Sequence, residues 1–301
     1  MTARDTVLPV VLGRARRALA AAVVASLTLA APAATAPAVA ATAAPVVTVC
    51  RDSDLPYWPT VVAGDVHVVG HCWLTGLVVT GDVVVTPGAV LSADGLRLQG
   101  DLRLRGGSSA WVRSSRIGGG VQAEGAAELG LDGVRVARSV RGRIAETTIE
   151  STVVAGAVNV AAPDDGAPGQ GLHLLRSTVG GWVNVHAGHD DIAWSTLSRG
   201  LTLSWTRSAI VSESTVLGDV TVRRAAGTVR LGGWRWHPLG WSRPFAGPTD
   251  VGGDLVLEAN DAAPVLTTLD VAGDLLCTGS SRAPEIADDV VVAGARTGRC
   301  S

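Results

Sequence analysis

The 301-residue chain contains no Lys, and only one Met, one Tyr and one Phe. All 25 basic residues are therefore Arg, and aromatic residues make up only 4% of the chain. Without Lys there is no phosphate-gripping P-loop and no Schiff-base catalysis. A net charge of −2 supplies no cationic excess for non-specific nucleic-acid binding. A hydrophobic fraction of 47% is too high for a disordered chain. With so few rings, the core has to be filled by aliphatic side chains. No apolar run after the N-terminal segment reaches the roughly 20 residues of a membrane span. Also absent are a Gly-x-Ser-x-Gly elbow, a zinc-protease helix motif and a dinucleotide fingerprint.

The N-terminal segment reads as an export signal. Arg14, Arg16 and Arg17 form a charged start, an apolar stretch runs from Ala18 to about Ala31, and small-residue cleavage sites such as Ala38-Val39-Ala40 follow. This predicts a signal peptide over 1–40, a short linker over 41–49 and a single domain over 50–301, secreted or held at the cell envelope. Arg16-Arg17 leaves twin-arginine export open beside ordinary secretion. Removing residues 1–40 takes away four Arg and one Asp, which leaves the remainder more acidic.

Four Cys cluster at the two ends of that domain: Cys50 and Cys72, then Cys277 and Cys300. They allow three connectivities. Local pairing, Cys50–Cys72 and Cys277–Cys300, closes one short loop at each end and leaves the long middle free of cross-links.

A repeat decides the fold. The pattern apolar-x-Gly-x-apolar-x-apolar appears as Val62-Ala63-Gly64-Asp65-Val66-His67-Val68 and as Val79-Thr80-Gly81-Asp82-Val83-Val84-Val85. It returns eleven times, with its third position at 64, 81, 100, 119, 138, 156, 181, 199, 218, 253 and 273. Most gaps are 17 to 20 residues; the two long ones carry insertions at 161–170 and 232–250. Alternation over the last three positions marks each copy as strand. Short strands recurring at this period predict an all-β, single-stranded parallel β-solenoid of about eleven coils, right-handed by the crossover rule, with disulfide-stapled ends. Coils stack about 4.8 Å apart. The fifth and seventh positions face inward. The sixth, which holds Arg103, Gln122, Arg141, Asn159, Asn184 and Thr202 among others, faces out. The recurrent third-position Gly suggests a corner with positive φ, and Arg138 and Arg199 interrupt it. Exposed edges at both ends invite end-to-end association.

The opening Cys with Gly-Asp-Val repeats, and the closing Gly273-Asp274-Leu275-Leu276-Cys277 with Gly298-Arg299-Cys300, resemble a family of exported actinobacterial β-helix proteins of unknown function. The resemblance covers about residues 47–301. The repeat is also similar to that of bactofilins, cytoskeletal polymers built from short β-helices. The signal peptide and the Cys pairs set this chain apart from that cytosolic family. Neither resemblance implies catalytic residues.

Candidate sites follow from stacking. Asp65, Asp82 and Asp101 share one column, and Asp219, Asp254 and Asp274 share it at the far end. Such a column either caps backbone amides or holds a cation, for which Ca²⁺ is the best-suited ion. The corner after the seventh position collects Asp164 and Asp165, then the turn-like His186-Ala187-Gly188-His189-Asp190-Asp191, then Trp205 and Arg207, then the insertion with Trp234, Trp236 and Trp241. Trp, Arg and carboxylates on one side suit polysaccharide binding. Hydrolysis would need two of the carboxylates about 5–9 Å apart, and Asp164, Asp165, Asp190 and Asp191 are the candidates. His186, His189, Asp190 and Asp191 also make a weak metal motif. With no catalytic constellation, the sequence favours a non-enzymatic structural or binding protein needing no cofactor, its partner a polysaccharide or another envelope component. A polysaccharide lyase or hydrolase using the 164–245 face is the alternative.

Overall fold

The computed structural model describes residues 47–52, 60–162, 170–235, 243–244 and 247–301. The expected signal peptide, Asp164, Asp165, Trp236 and Trp241 lie outside them. Of the two units into which the chain divides, Ala44–Ser301 contains the repeats. Every described element in it is a β-strand, and no helix among the described residues is long and apolar enough to cross a membrane.

Each coil lays three strands on three faces. A first-face strand such as Asp65–Val69 is followed by a second-face strand, His71–Thr75, and a two-residue third-face strand, Val78–Val79. Every coil pairs with the next in parallel, and equivalent repeat positions sit above one another: Val66↔Val83, Val83↔Leu102 and Leu102↔Val121. The first two faces merge into a 20-stranded sheet, and the third is a 12-stranded sheet. The solenoid therefore has twelve coils. The one not seen as a repeat is the last, where Val290–Val292 adds the twelfth third-face strand. Its copy of the pattern, Val292-Ala293-Gly294, continues into Arg296 and Gly298 instead of two apolar residues. The first strand, Val47–Arg51, begins inside the stretch read as linker.

The interior is aliphatic, as the composition requires. Fifth- and seventh-position residues such as Val66, Val68, Leu102, Leu104, Leu201, Leu203, Leu255 and Leu257 are at most 1% exposed. Burying each such side chain contributes about 1.5–3 kcal/mol. One coil cannot shield its own inner face; its neighbours do so.

Two corners repeat a polar device from coil to coil. At the third corner, between the third face and the next coil's first face, Asp65 Oδ1 accepts the Asp82 N–H at 2.8 Å, and Asp82 Oδ1 accepts the Asp101 N–H at 2.8 Å. Asp101 Oδ1 accepts the Gly120 N–H at 2.8 Å. The far end repeats this from Asp219 to Asp254, Asp254 to Asp274 and Asp274 to Ala295. This also corrects the reason for the third-position glycines. Within that column only Gly64 has a positive φ (92°). A Cβ on Gly81, Gly100, Gly119, Gly253 or Gly273 would instead overlap the Asp Oδ1 of the coil before. Arg138 and Arg199 are tolerated where that carboxylate is missing, since the preceding coils place Gly120 and Trp182 there.

Positive φ is found at the first corner, as at Gly70, Gly88, Gly107 and Trp205, and again at the second corner. Gly76, Gly95, Ser114, Gly133, Ser151, Arg176, Trp194, Glu213 and Thr268 occupy it, with φ between 44° and 64°. The residue after each points inward, and in the middle coils it is Ser or Thr. Ser195 Oγ donates to Ala193 O at 2.9 Å and accepts the Ser177 N–H at 3.2 Å. Thr152, Ser177 and Ser214 repeat the arrangement. The pairs Ser177-Thr178, Ser195-Thr196 and Ser214-Thr215 are the trace of this ladder in the sequence.

Both Cys pairs are disulfides, Cys50–Cys72 and Cys277–Cys300. Cys50 and Cys277 both occupy seventh positions, in register with Val68 and Leu257. Each bond ties a first-face strand to chain beyond the first corner of the following coil. Two disulfides suit a non-reducing compartment.

Candidate functional site

In the middle of the solenoid the first and second faces run together as single long strands: Val121–Asp132, Val140–Glu150, Val183–Ala193 and Leu201–Ser212. Bulges between Glu124 and Ala126 and between Gly188 and His189 bend them at the first corner. The outer side of this bend is a concave groove of about 1020 Å³.

Two outward rows line it. The first is the sixth-position column Gln122, Arg141, Asn159, Asn184 and Thr202, in register coil by coil. The second is Glu124, Arg143, Ala161, His186, Ser204 and Arg223. Rungs follow one another at about 4.8 Å. Asn184 Nδ2 donates to Asn159 Oδ1 at 2.6 Å, and Arg223 Nε donates to Ser204 Oγ at 2.9 Å. Glu124, the one carboxylate among the groove's described lining residues, is held by Arg105. Among the described residues no carboxylate pairs with Arg141, Arg143 or Arg223. The groove is thus locally cationic in a chain of net negative charge.

At its rim, His186 and Trp205 meet edge to face, with ring centroids 6.5 Å apart. The Arg224 guanidinium lies 4.8 Å from the Trp205 ring centroid. Trp205 sits at the corner with φ 59° and is 51% exposed. Of the residues singled out from sequence, His186 is exposed and lines the groove, Trp205 stands at its rim, and Arg207 is exposed just beyond.

The remaining candidates do not converge there. The segment from His186 to Asp191 is continuous strand, not a turn. The in–out phase of this strand changes at the first corner, between His186 and Gly188 (φ 113°), so His189 and Asp191 face outward while Asp190 points into the core. His189 Nδ1 lies 2.8 Å from Ser208 Oγ on the second face. Asp191 is in register with His173. Asp190 is 3% exposed, and its Oδ1 accepts the Leu172 N–H at 3.1 Å. Burial pushes its carboxyl up to about 6, against the lowering effect of the Leu172 amide and the Thr206 hydroxyl. Successive residues on one strand face opposite ways, so His189 and Asp190 do not converge on one ion. Among the described residues no three metal-ligand side chains gather. In the Asp column, Oδ1 is taken by the next amide. The second oxygens of Asp82 and Asp101 are held by Arg103 at 2.7 Å and Gln122 at 2.9 Å.

The Trp-rich insertion leaves from a different corner. Its Trp234–Arg235 strand pairs antiparallel with Arg243–Pro244 and follows Val229–Gly232, a second-face strand. The chain then rejoins the third face at Thr249–Val251. The insertion is therefore rooted at the second corner, whereas His186 and Trp205 stand at the first. The single composite site read from the sequence is divided between two corners.

Sequence reasoning found the outward direction of Arg141, Asn159 and Asn184 but did not gather them into a site. The available signal was a polar column, Gln-Arg-Asn-Asn-Thr, beside a second row holding Arg143, His186 and Arg223. Comparison of the chain with protein-family profiles, with curated proteins and with solved structures returns no match, so the functional reading rests on this geometry.

Proposed function

We propose that this is an exported, non-enzymatic solenoid that binds an anionic polysaccharide of the cell envelope or its surroundings along the basic groove. The observation that carries the reading is the pair of polar rows, each with its rungs one coil apart, in which Arg141, Arg143 and Arg223 pair with no carboxylate among the described residues. A chain with a repeated anionic group meets such a track at successive rungs, and bidentate guanidinium contacts suit carboxylates and phosphates. The hydrogen-bonded Asn159 and Asn184 and the Trp205 ring suit sugar hydroxyls and C–H faces. Among the described lining residues Glu124, held by Arg105, is one carboxylate where two-carboxylate hydrolysis requires two.

The test compares wild type with an Arg141→Ala/Arg143→Ala/Arg223→Ala variant on immobilised polygalacturonate, alginate and teichoic acid, with neutral glucan as control. Wild type is expected to bind at least one polyanion, weakening as salt rises, and the triple variant to bind at least tenfold more weakly. No retention on any of them, or equal retention of wild type and variant, would overturn the reading. New reducing ends or unsaturated products in the same incubations would replace it with the cleaving alternative. Export is read separately: the N-terminus of the secreted protein is expected close to Ala41.

A further inference from the structure

A second site lies on the second face near the N-terminal end and shares no lining residue with the groove. We propose that Trp73 and Trp111 form a preset cleft that holds one pyranose ring of a neutral polysaccharide.

The register places the two rings. Trp73 is opposite Ser92, Ser92 is opposite Trp111, and Trp111 is opposite Gly130. The two tryptophans are thus two coils apart, about 9.6 Å at the backbone, with a small hydroxyl residue between them. Both are exposed, at 51% and 37%. They border a cleft of about 490 Å³ with Thr75, Ser92, Asp94 and Arg113.

Each ring is fixed before anything binds. Trp73 Nε1 donates to His71 Nε2 at 2.9 Å, and Trp111 Nε1 donates to Glu128 Oε1 at 2.8 Å. Trp111 also leans over Gly130, where a Cβ would come within 2.8 Å of its Cδ1. Ligand binding then orders neither ring, which lowers the cost of association.

The cleft's chemistry selects the occupant. An inserted ring needs about 4 Å to the apolar atoms on either face, and the cleft of about 490 Å³ has that room. The next outward row places Thr75, Asp94 and Arg113 in register beside the aromatic row. Neither Asp94 nor Arg113 forms an ion pair among the described residues. A pyranose offers C–H faces to the indoles and equatorial hydroxyls to this row. An apolar protein segment would bury Asp94 and Arg113 without partners, which is costly. A polyanion would meet Asp94 and Glu128, so the ligand is a neutral sugar, unlike that of the groove.

The test titrates the secreted protein with hexasaccharides of β-1,4-glucose, β-1,4-xylose, α-1,4-glucose and β-1,4-N-acetylglucosamine by calorimetry. At least one is expected to bind wild type. Trp73→Ala, Trp111→Ala and the gap-filling Ser92→Phe are each expected to weaken it tenfold or more, with unchanged circular dichroism and thermal midpoint. The triple Arg variant of the groove is expected to keep full affinity, which separates this site from the other. Absence of binding by all four sugars, or variants that bind like wild type, would overturn the proposal. So would a concentration-dependent dimer that Trp111→Ala abolishes, because the face would then belong to a second copy of the chain.

Discussion

Asp190 is an ionisable group on the aliphatic side of its strand, at 3% exposure and with its carboxyl raised to about 6. A folded-state value above the unfolded one means that the native state binds the extra proton between about pH 4 and 6. Stability then falls as pH rises through that window. A shift of about two units corresponds to roughly 3 kcal/mol. Asp190→Asn is expected to flatten this part of the profile, so that urea unfolding at pH 4.5 and 7.5 differs less for the variant than for wild type. An unchanged difference would show that other groups set the dependence. The inward placement of Asp190 was not legible beforehand for a specific reason. Strand alternation from Val183 sends Asp190 outward, and the corner between His186 and Gly188 reverses that phase. The third-corner glycines were legible as a column but not in cause. The sequence displays Gly beside Asp, while the crowding is between the Gly of one coil and the Asp of the coil before.

At the scale of elements, strands alone do not fix where each coil turns. The second corner does so through left-handed residues and the hydroxyls that follow them. Ser195 receives the Ser177 amide and donates to the Ala193 carbonyl. Ser195→Ala leaves the Ser177 N–H buried without an acceptor, which costs about 1–3 kcal/mol. The expected outcome is a lower urea midpoint with the slope unchanged. Ser195→Thr keeps the hydroxyl and is expected to recover most of the loss; failure of Thr to recover more than Ala would argue against the ladder. The inward rows of the first face could be read from sequence, because Val and Leu recur there at period two. The groove could not, because its concavity arises where two faces merge into one bent strand, and a polar column by itself does not say whether the chain beside it turns away or continues.

At the scale of the solenoid, stability is distributed coil by coil, and each coil depends on its immediate neighbours. The ends have only one neighbour each. At the N-terminal end Val47, Val49 and Val61 are 46–62% exposed, and at the C-terminal end Arg296–Gly298 is an exposed strand. The disulfides close loops with sequence separations of 22 and 23 residues, each contributing about 3 kcal/mol by loop-closure entropy. Cys277→Ser/Cys300→Ser is expected to loosen the last coil and open the edge next to Leu275. Sedimentation should then show more end-to-end association than wild type at equal concentration. A variant that stays as monodisperse as wild type, with the same thermal midpoint, would show that the last coil is held by strand pairing alone.

The Asp column gives the stack a direction. Each carboxylate belongs to one coil and receives an amide from the coil that follows it in the chain. A finished coil therefore displays an acceptor with nothing yet to accept, beside a strand edge waiting for its partner. For a polypeptide that emerges N-terminus first, every newly arriving segment meets a template already assembled. Such a chain can wind itself up behind its own leading end, without waiting for its tail.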